Sequence, residues 1–531
     1  MKKFKRVIGL LLAVCMVFLS ASVFAAGESG AQTDYPIIWM TGAFHELYLN
    51  AGTPKQTIAF GARSAAATVL KSAKTAAQAS DGDDAQGDLL GYLKELNFDA
   101  VADIVADYVN QLFGPIAYDS NGNSLQELNG DINGNKKEVT LRRDEYTFDY
   151  DWREDPLISA ERLHLFIQEV KRASSAEKVN LCVRSGSGTV GLAYLKEYLD
   201  EGDLAGMFFS TSLHNGSAVF GELVTKNLSI DADALANTSV LKEMSLQSGE
   251  LDQIWDLLKA LNDVGLLSPV MGTASVLLRA VLMDRLYEKA IIPSVLTIPV
   301  FWAYVPDEYY EKGIETCFGE DREKYAGLIA KLDNYHNNVA KNADNILKEA
   351  SEVMRIGLLS AFGAPQFPLG SKSKQQGDII IGTAYSSCGA TVSNVGETLK
   401  SGLFGLAPYT QKVQDGHNHI SPDNTIDAST CLLPETTWFV SGMMHFEIAD
   451  SSNHNMIRWF FRAEETPTVF TDTERYPQFM WREKTIDENG KTYYADVPPP
   501  VTETRPVNEQ LLSVLAKITK TVLSALFWWL K

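Results

Sequence analysis

The sequence predicts an α/β fold with a mostly parallel sheet, helices on both faces and a helical cap inserted between strands. Short apolar runs of strand length alternate with helical segments over the first half of the chain. A long stretch from about 241 to 359 is almost entirely helical in pattern, and further apolar runs follow it. Alternating strands and helices build a parallel sheet covered on both faces. We therefore expect one large sheet whose strands are separated in sequence by the cap.

The first 26 residues have the pattern of a secretory signal peptide. A basic start (MKKFKR) precedes an apolar run and a small-residue cleavage site, VFAA. The sequence thus predicts a secreted, extracellular protein, with peripheral attachment at the cell envelope as a further expectation. Loss of the four cations of the signal peptide changes the formal net charge from −20 to −24. Such acidity argues against a nucleic acid partner or an anionic membrane partner.

The cysteines predict neither a metal site nor a disulfide framework. Cys182, Cys317, Cys388 and Cys431 show no CxxC spacing and are too sparse for a disulfide scaffold. A single disulfide bridge, between Cys388 and Cys431, is the remaining alternative. We expect no cofactor and no metal.

The remaining chain divides into one large domain, 27–463, followed by two extensions. Within the domain, a helical insertion is expected at about 61–115 and the helical cap at about 241–375. Two polar pieces, DSNGN and DINGN, resemble parts of a calcium loop. Their glycines are not at the position that the twelve-residue calcium loop requires, so we expect hairpin turns instead. The extensions are a Pro-rich segment, 464–507, and an amphipathic helix, 508–531. This helix either docks on its own protein or lies in a lipid interface, and it is too charged and short to span a bilayer.

Individual strands and helices follow from local patterns. Apolar runs predict strands at 35–40, 146–150, 179–183, 208–210, 378–382 and 437–440. Amphipathic spacing predicts helices at 159–173 and 189–199 on either side of the strand VNLCV.

The strand VNLCV, the turn RSGSG and the following helix predict a nucleophile elbow. Such a turn exposes a serine hydroxyl above the sheet and aims the next backbone N–H at a developing oxyanion. Ser185 is then the nucleophile and Gly186 an oxyanion donor. The usual motif has glycine two residues before and after the serine, where this chain has Val183 and Ser187. Ser187 is the alternative nucleophile. An elbow of this kind indicates the α/β-hydrolase fold.

Two blocks around the elbow resemble the lecithin:cholesterol acyltransferase-like lipases. The runs FDYDWREDPLISAERLHLFIQEVK and KVNLCVRSGSGTVGLAYLKEYL look like that family's strand, helix, elbow and helix, with YDWR unchanged. FSTSLHNGS resembles the family's GTPHxGS segment, which places His214 at the family's histidine. There it is expected to be a structural residue or to contribute to substrate binding.

The resemblance also implies the other members of a triad in the order Ser, Asp, His. Asp423, in SPDNTIDAST, looks like the aspartate of the family's GDGTVP loop, with Asp427 in reserve. His445 follows a TWF-like strand, as the family's histidine does. His417 and His419 precede the proposed acid and break the order; with Asp415 they leave a metal cluster as a weaker alternative.

The loop MTGAFHEL corresponds to the family's VPGxxGS-like loop, which implies the backbone N–H of Ala43 or Phe44 as the second oxyanion donor. His45 replaces the family's second glycine. The aromatic stretch of the cap, with Trp302 and Tyr304, is expected either to line an acyl-chain pocket or to pack the core.

These features predict a secreted serine hydrolase that acts on lipid carboxylic esters as a lipase, phospholipase or O-acyltransferase through an acyl-enzyme intermediate. The main alternative is a catalytically inactive hydrolase-fold protein that binds lipid or cell-envelope material, which Val183 and the missing glycines favour. A peptidase or a cutinase-like esterase acting on a small soluble ester is a second alternative.

Overall fold

The computed structural model describes residues 35–60, 98–130, 144–229, 283–367, 370–400, 409–447, 451–486 and 492–499. Several predicted features lie outside these residues. They are the signal peptide, most of the first insertion, the piece DINGN, the cap before residue 283 and the helix at 508–531.

The core of the protein is an eight-stranded sheet. Its strands are β1 (Ile37–Met40), β2 (Glu145–Phe148), β3 (Val179–Ser185), β4 (Leu204–Ser212), β5 (Arg355–Phe362), β6 (Thr437–Ser441), β7 (Phe479–Ile486) and β8 (Thr492–Val497). Their spatial order is β2-β1-β3-β4-β5-β6-β7-β8. All neighbours are parallel except β7 and β8, which pair antiparallel. Pairs of short antiparallel strands lie at Leu47–Leu49 and Thr57–Phe60, Ala364–Pro365 and Gln376–Gly377, and Thr391–Val392 and Ile426–Asp427.

Helices follow most of the strands in the chain. They are α1 (Phe98–Phe113), α2 (Pro156–Ser174), α3 (Ser187–Tyr198), α4 (Ala218–Val224), α5 (Met283–Leu286), α6 (Pro299–Ala303), α7 (Asp307–Phe318), α8 (Ala326–Asn338), α9 (Ala343–Val353), α10 (Thr383–Ser386) and α11 (Ser451–Arg462). A π-helical segment, Tyr287–Val295, continues α5. Single 3-10 turns lie at Gly114–Ile116, Leu199–Glu201, Ala340–Asn342, Ala428–Thr430, Pro434–Thr436 and His445–Glu447.

The sheet buries side chains on both faces. Successive residues of a strand point to opposite faces, so Leu181 and Val183 of β3 belong to one core cluster and Cys182 to the other. Helices α2, α3 and α9 supply the first cluster, and α11 supplies the second through Ile457, Phe460 and their neighbours. The sequence prediction of a mostly parallel α/β sheet with helices on both faces is confirmed.

The predicted strand at 378–382 is wrong. The strand that follows the helical stretch is β5, and α9 ends at Val353, before the predicted end of the helical pattern at Leu359. Residues 378–382 form a tight turn in which the Asp378 carboxylate accepts hydrogen bonds from the backbone of Ile380 and Ile381. All of the run DIIIG except the partly buried Ile380 is buried, but in a loop beyond the end of β5.

The two helical regions predicted separately pack on each other. Helix α1 lies against α5 and the π-helical segment. Asp103 of α1 accepts hydrogen bonds from Arg285 and Lys289, and Ser294 bonds to Asn110. No helix within the described ranges has the length and apolar character needed to cross a membrane.

A buried ion pair fastens the segment after β2. The Arg153 guanidinium and the Asp151 carboxylate are both buried, and Arg153 Nε lies 2.8 Å from Asp151 Oδ1. Arg153 also donates to the backbone carbonyls of Ile116 and Gln126, at 3.0 and 3.2 Å. These bonds tie the YDWR segment to the chain that follows α1.

We predict that Asp151→Asn lowers the free energy of unfolding by about 3–5 kcal/mol, because it leaves the Arg153 charge buried without a compensating anion. Arg162→Ala is the matched control, since it removes an ion pair with Glu154 in which the Arg162 side chain is 53% exposed. That change should cost less than about 1 kcal/mol. Urea unfolding of both variants measures the difference, and equal midpoints would contradict the assigned role of the buried pair.

Candidate active site

Ser185 lies at a sharp turn between β3 and α3. It is the last residue of β3, and α3 begins two residues later. Its backbone φ is 49°, in the left-handed region that residues with a side chain rarely adopt. The β3–β4 register shifts at this point, and Leu213 N donates to the Ser185 carbonyl. The strained turn lifts the Ser185 side chain off the end of the sheet, as the sequence predicted for an elbow.

Ser187 closes the same turn from inside. Its hydroxyl donates to the Arg184 carbonyl at 2.8 Å and accepts from the Arg184 N–H at 2.9 Å. The side chain is completely buried. Because both functions of the hydroxyl are occupied by backbone, Ser187 is a structural part of the turn. The geometry therefore favours Ser185 over the alternative nucleophile.

Ser185, His445 and Asp378 form a continuous chain of hydrogen bonds. Ser185 Oγ lies 2.8 Å from His445 Nε2, and His445 Nδ1 lies 2.7 Å from Asp378 Oδ2. His445 follows β6, and its backbone N–H also donates to the Asp378 carbonyl oxygen. Asp378 is fully buried and His445 is 13% exposed. The arrangement orients the imidazole so that Nε2 can accept the Ser185 proton.

The acidic partner of His445 is Asp378 and not the predicted Asp423. The Asp423 carboxylate instead accepts hydrogen bonds from Ser421 Oγ, at 2.6 Å, and from the Thr425 side chain, at 2.9 Å. The reserve candidate Asp427 is also taken up locally, by Ser429 and by Tyr409. Both aspartates cap turns of their own loop, and neither is bonded to His445.

The signal for Asp378 was present in the sequence but was assigned to the wrong element. An acid was expected after a late strand, and Asp378 does follow one, β5. Because DIIIG was interpreted as that strand, its first residue could not be placed after it. The turn is held by Phe367 N, which donates to the carbonyl of Ile379, a residue with φ 90°. A β-branched residue with positive φ is rare, so local pattern could not have predicted this turn.

Position 183 tolerates valine because position 191 has no side chain. A Cβ built on Gly191 of α3 would lie 2.8 Å from Val183 Cγ1, closer than real contacts allow. The valine methyl groups thus occupy the space that a side chain at position 191 would fill. Helix α3 keeps its close approach to β3, and the elbow forms without the glycine that usually precedes the serine by two residues.

The loop after β1 lies directly over the elbow. A Cβ built on Gly42 would lie 3.0 Å from Ser185 Cβ, and one built on Gly186 would lie 2.6 Å from Ala43 Cβ. Among the described residues, none accepts a hydrogen bond from the backbone N–H of Gly186, Ala43 or Phe44. Gly186 and Ala43 therefore lie together beside Ser185, and the backbone N–H groups of all three predicted oxyanion donors are free of bonds to the residues that the structure describes.

His45 holds this loop in place. Its two ring nitrogens each lie 2.8 Å from a backbone carbonyl oxygen, of Gly42 and of Tyr150. Trp152 donates its indole N–H to the His45 carbonyl. The ring of Phe44, whose φ is 66°, packs on that of Trp152 with centroids 4.7 Å apart. The histidine that departs from the family's loop pattern thus connects the loop to the YDWR segment.

The three side chains considered for substrate binding differ in position. Trp302 is buried in α6, where it donates to the Leu296 carbonyl and packs on Phe318. His214 is buried below the elbow, between Ser212 Oγ at 2.7 Å and Cys388 Sγ at 3.1 Å. Only Tyr304 of the three reaches the elbow, since a Cβ on Gly186 would overlap its hydroxyl oxygen.

The histidines of the alternative metal cluster, His417 and His419, form other contacts. His419 lies between Asp415 and Gln478, at 3.0 and 2.9 Å, and His417 stacks on Phe470. In the part of the chain that the structure describes, no group of three or more His, Cys, Asp or Glu side chains could hold a metal ion. The cysteines at 182, 317, 388 and 431 are all buried free thiols.

Comparison with known proteins gives no relative. The chain matches no family model, no curated protein and no solved structure.

We predict that protonation of His214 opposes folding. Burial lowers its pKa from 6.5 to about 4, so between these pH values the unfolded chain binds a proton that the folded chain does not. Stability should therefore fall as the pH decreases through this interval. The difference in free energy of unfolding between the wild type and His214→Gln should shrink by up to about 3 kcal/mol from pH 7 to pH 4. Urea unfolding measures it, and a pH-independent difference would refute the assignment.

Proposed function

We propose that this chain is a serine hydrolase of the α/β-hydrolase fold that acts on carboxylic esters of lipids. The observation that carries the proposal is the hydrogen-bonded chain from Ser185 through His445 to Asp378. The serine and histidine are 260 positions apart, yet the fold brings them to one edge of the sheet. Serine, histidine and a buried carboxylate in this order of contacts make up the machinery of nucleophilic acyl transfer.

The topology supports the fold assignment. Ser185 is the last residue of β3, Asp378 and His445 lie beyond the carboxyl ends of β5 and β6, and the three follow one another in the chain as Ser, Asp and His. This order is the one expected for α/β-hydrolases. The turn at Ser185, with its positive φ, joins a strand to a helix as a nucleophile elbow does.

The proposed reaction proceeds through an acyl-enzyme. His445, oriented by Asp378 through Nδ1–H, accepts the Ser185 proton on Nε2 as Ser185 Oγ attacks the ester carbonyl. Backbone N–H groups of Gly186 and of Ala43 or Phe44 stabilise the oxyanion. The leaving alcohol takes the proton from His445. Water or a second alcohol then releases the acyl group by the reverse steps, which gives hydrolysis or acyl transfer.

Two observations support a lipid substrate. The first is the resemblance of the YDWR and elbow blocks to the lecithin:cholesterol acyltransferase-like lipases, of which we propose that this chain is a distant member. The second is the aromatic surroundings of the elbow, where Phe44, Phe220, Phe301 and Tyr304 pack together. Apolar and aromatic surfaces beside a nucleophile suit an acyl chain.

We predict that a fluorophosphonate probe labels the wild-type protein and Ser187→Ala, but not Ser185→Ala. The probe requires a serine activated by its histidine, and Ser187 is committed to the Arg184 backbone. Labelling is followed by gel fluorescence and the modified peptide by mass spectrometry. A folded wild type that stays unlabelled would contradict the hydrolase proposal and favour a lipid-binding or envelope-binding protein of the same fold.

We predict that Asp378→Asn lowers kcat for ester hydrolysis by about 10⁴-fold, because the asparagine cannot hold the imidazole in the productive tautomer. Asp423→Asn serves as the control and should leave kcat within about threefold of the wild type, because Asp423 bonds only within its own loop. Initial rates with a chromogenic medium-chain ester measure both. A larger loss in Asp423→Asn than in Asp378→Asn would reverse the assignment of the acid.

A further inference from the structure

The Tyr304 hydroxyl is a buried polar group without a hydrogen-bond partner. The residue is 0% exposed, and its hydroxyl oxygen bonds to nothing among the described residues. Burying a hydroxyl without a partner is costly, and such groups in folded proteins call for an explanation. Most of the other buried tyrosines here have one: Tyr287 bonds to Leu223, Tyr310 to Asp333 and Tyr335 to Thr189.

The unpartnered hydroxyl points at the oxyanion side of the elbow. A Cβ built on Gly186 would overlap Tyr304 Oη and would also meet Ala43 Cβ at 2.6 Å. The hydroxyl is therefore in contact with the Gly186 α-carbon, on the side covered by the loop after β1. Two of the proposed oxyanion donors, Gly186 and Ala43, flank this spot. The Tyr304 hydroxyl thus lies next to Gly186 and Ala43, whose backbone N–H groups bond to none of the described residues.

The tyrosine is held firmly in this position. Its backbone N–H donates to the Val300 carbonyl, and its own carbonyl accepts from Ser217 N at 3.0 Å. Its ring packs on Phe220, with centroids 5.0 Å apart. Burial raises the pKa of Tyr304 well above 10, so the hydroxyl keeps its proton. A fixed, protonated hydroxyl is a preorganised hydrogen-bond donor.

We propose that the Tyr304 hydroxyl donates a hydrogen bond to the oxyanion of the tetrahedral intermediate, beside the backbone N–H groups of Gly186 and the loop after β1. This inference rests on the proposed hydrolase function. No proton is transferred: the oxyanion accepts a hydrogen bond from the Tyr304 O–H as Ser185 Oγ attacks the carbonyl, and that hydrogen bond weakens when the carbonyl re-forms. The cap, which contributes Tyr304, then supplies part of the catalytic machinery.

Tyr304→Phe in the full chain tests the inference. We expect kcat for a 4-nitrophenyl octanoate substrate to fall by about 10²-fold, the loss typical of one oxyanion donor, with KM changed by less than about threefold. Fluorophosphonate labelling should still reach completion at a lower rate, because Ser185 and His445 are intact. The melting temperature should stay the same or rise, since the change removes a hydroxyl that is buried without a partner.

Tyr335→Phe is the matched control. It removes an equally buried hydroxyl, one that donates to the Thr189 carbonyl of α3 at 3.3 Å. We expect it to lower the melting temperature and to leave kcat within about threefold of the wild type. Tyr304→Phe is thus expected to lower turnover without a loss of stability, and Tyr335→Phe to lower stability without a loss of turnover.

The outcomes separate the two proposals. An active, labelled wild type together with a Tyr304→Phe variant whose kcat stays within about threefold would overturn the role of Tyr304 and leave the hydrolase proposal standing. A Tyr304→Phe variant whose melting temperature falls along with its kcat would also overturn the role of Tyr304, because that result indicates a structural role. A wild type without labelling or turnover would overturn both.

Discussion

The left-handed backbone of Ser185 determines where every other group of the candidate site must lie. Such a conformation costs roughly 1–3 kcal/mol and persists only where the surroundings enforce it. Here Ser187 returns to the Arg184 backbone and Leu213 holds the Ser185 carbonyl. With the serine turned out of the sheet, His445 can reach it from the end of β6, and Gly186 N–H remains free of the helical hydrogen-bond pattern. The strained backbone at Ser185 thus directs its side chain towards His445 while the residue stays at the end of β3.

A second layer of contacts keeps the loop after β1 close to this turn. His45 joins the carbonyls of Gly42 and Tyr150, and Trp152 donates back to His45. The Arg153 guanidinium then connects the same segment to the chain after α1. The loop beside Ser185 is therefore supported by polar bonds that extend to the YDWR segment and to the chain after α1. Preorganised dipoles of this kind need no rearrangement during a reaction.

The sequence was sufficient for the features that depend on local pattern. Strands β1, β3, β4 and β6 and the helices on either side of β3 were predicted from apolar periodicity, and Ser185 from its place between a strand and a helix. Asp378 was missed because a buried loop can be as apolar as a strand, and its shape depends on a positive φ at Ile379 and on contacts with Phe367 and His445. Those contacts are distant in sequence, so no window around DIIIG contains them. Asp423 was chosen by resemblance to a motif, and its local hydrogen bonds are not visible at that level.

The pairing of Val183 with Gly191 shows how the chain departs from the usual elbow without losing it. The requirement is for empty space between β3 and α3, and that space can be provided from either element. A sequence signature restricted to the five residues centred on the serine seeks this empty space only at the strand position, through a glycine there. Such a signature does not match this chain, which has Val183 at that position. Gly191 lies about one turn into α3, in a segment that such signatures do not inspect. Elbows of this type are therefore better recognised by the combined side-chain volume at the two positions than by the identity of either one.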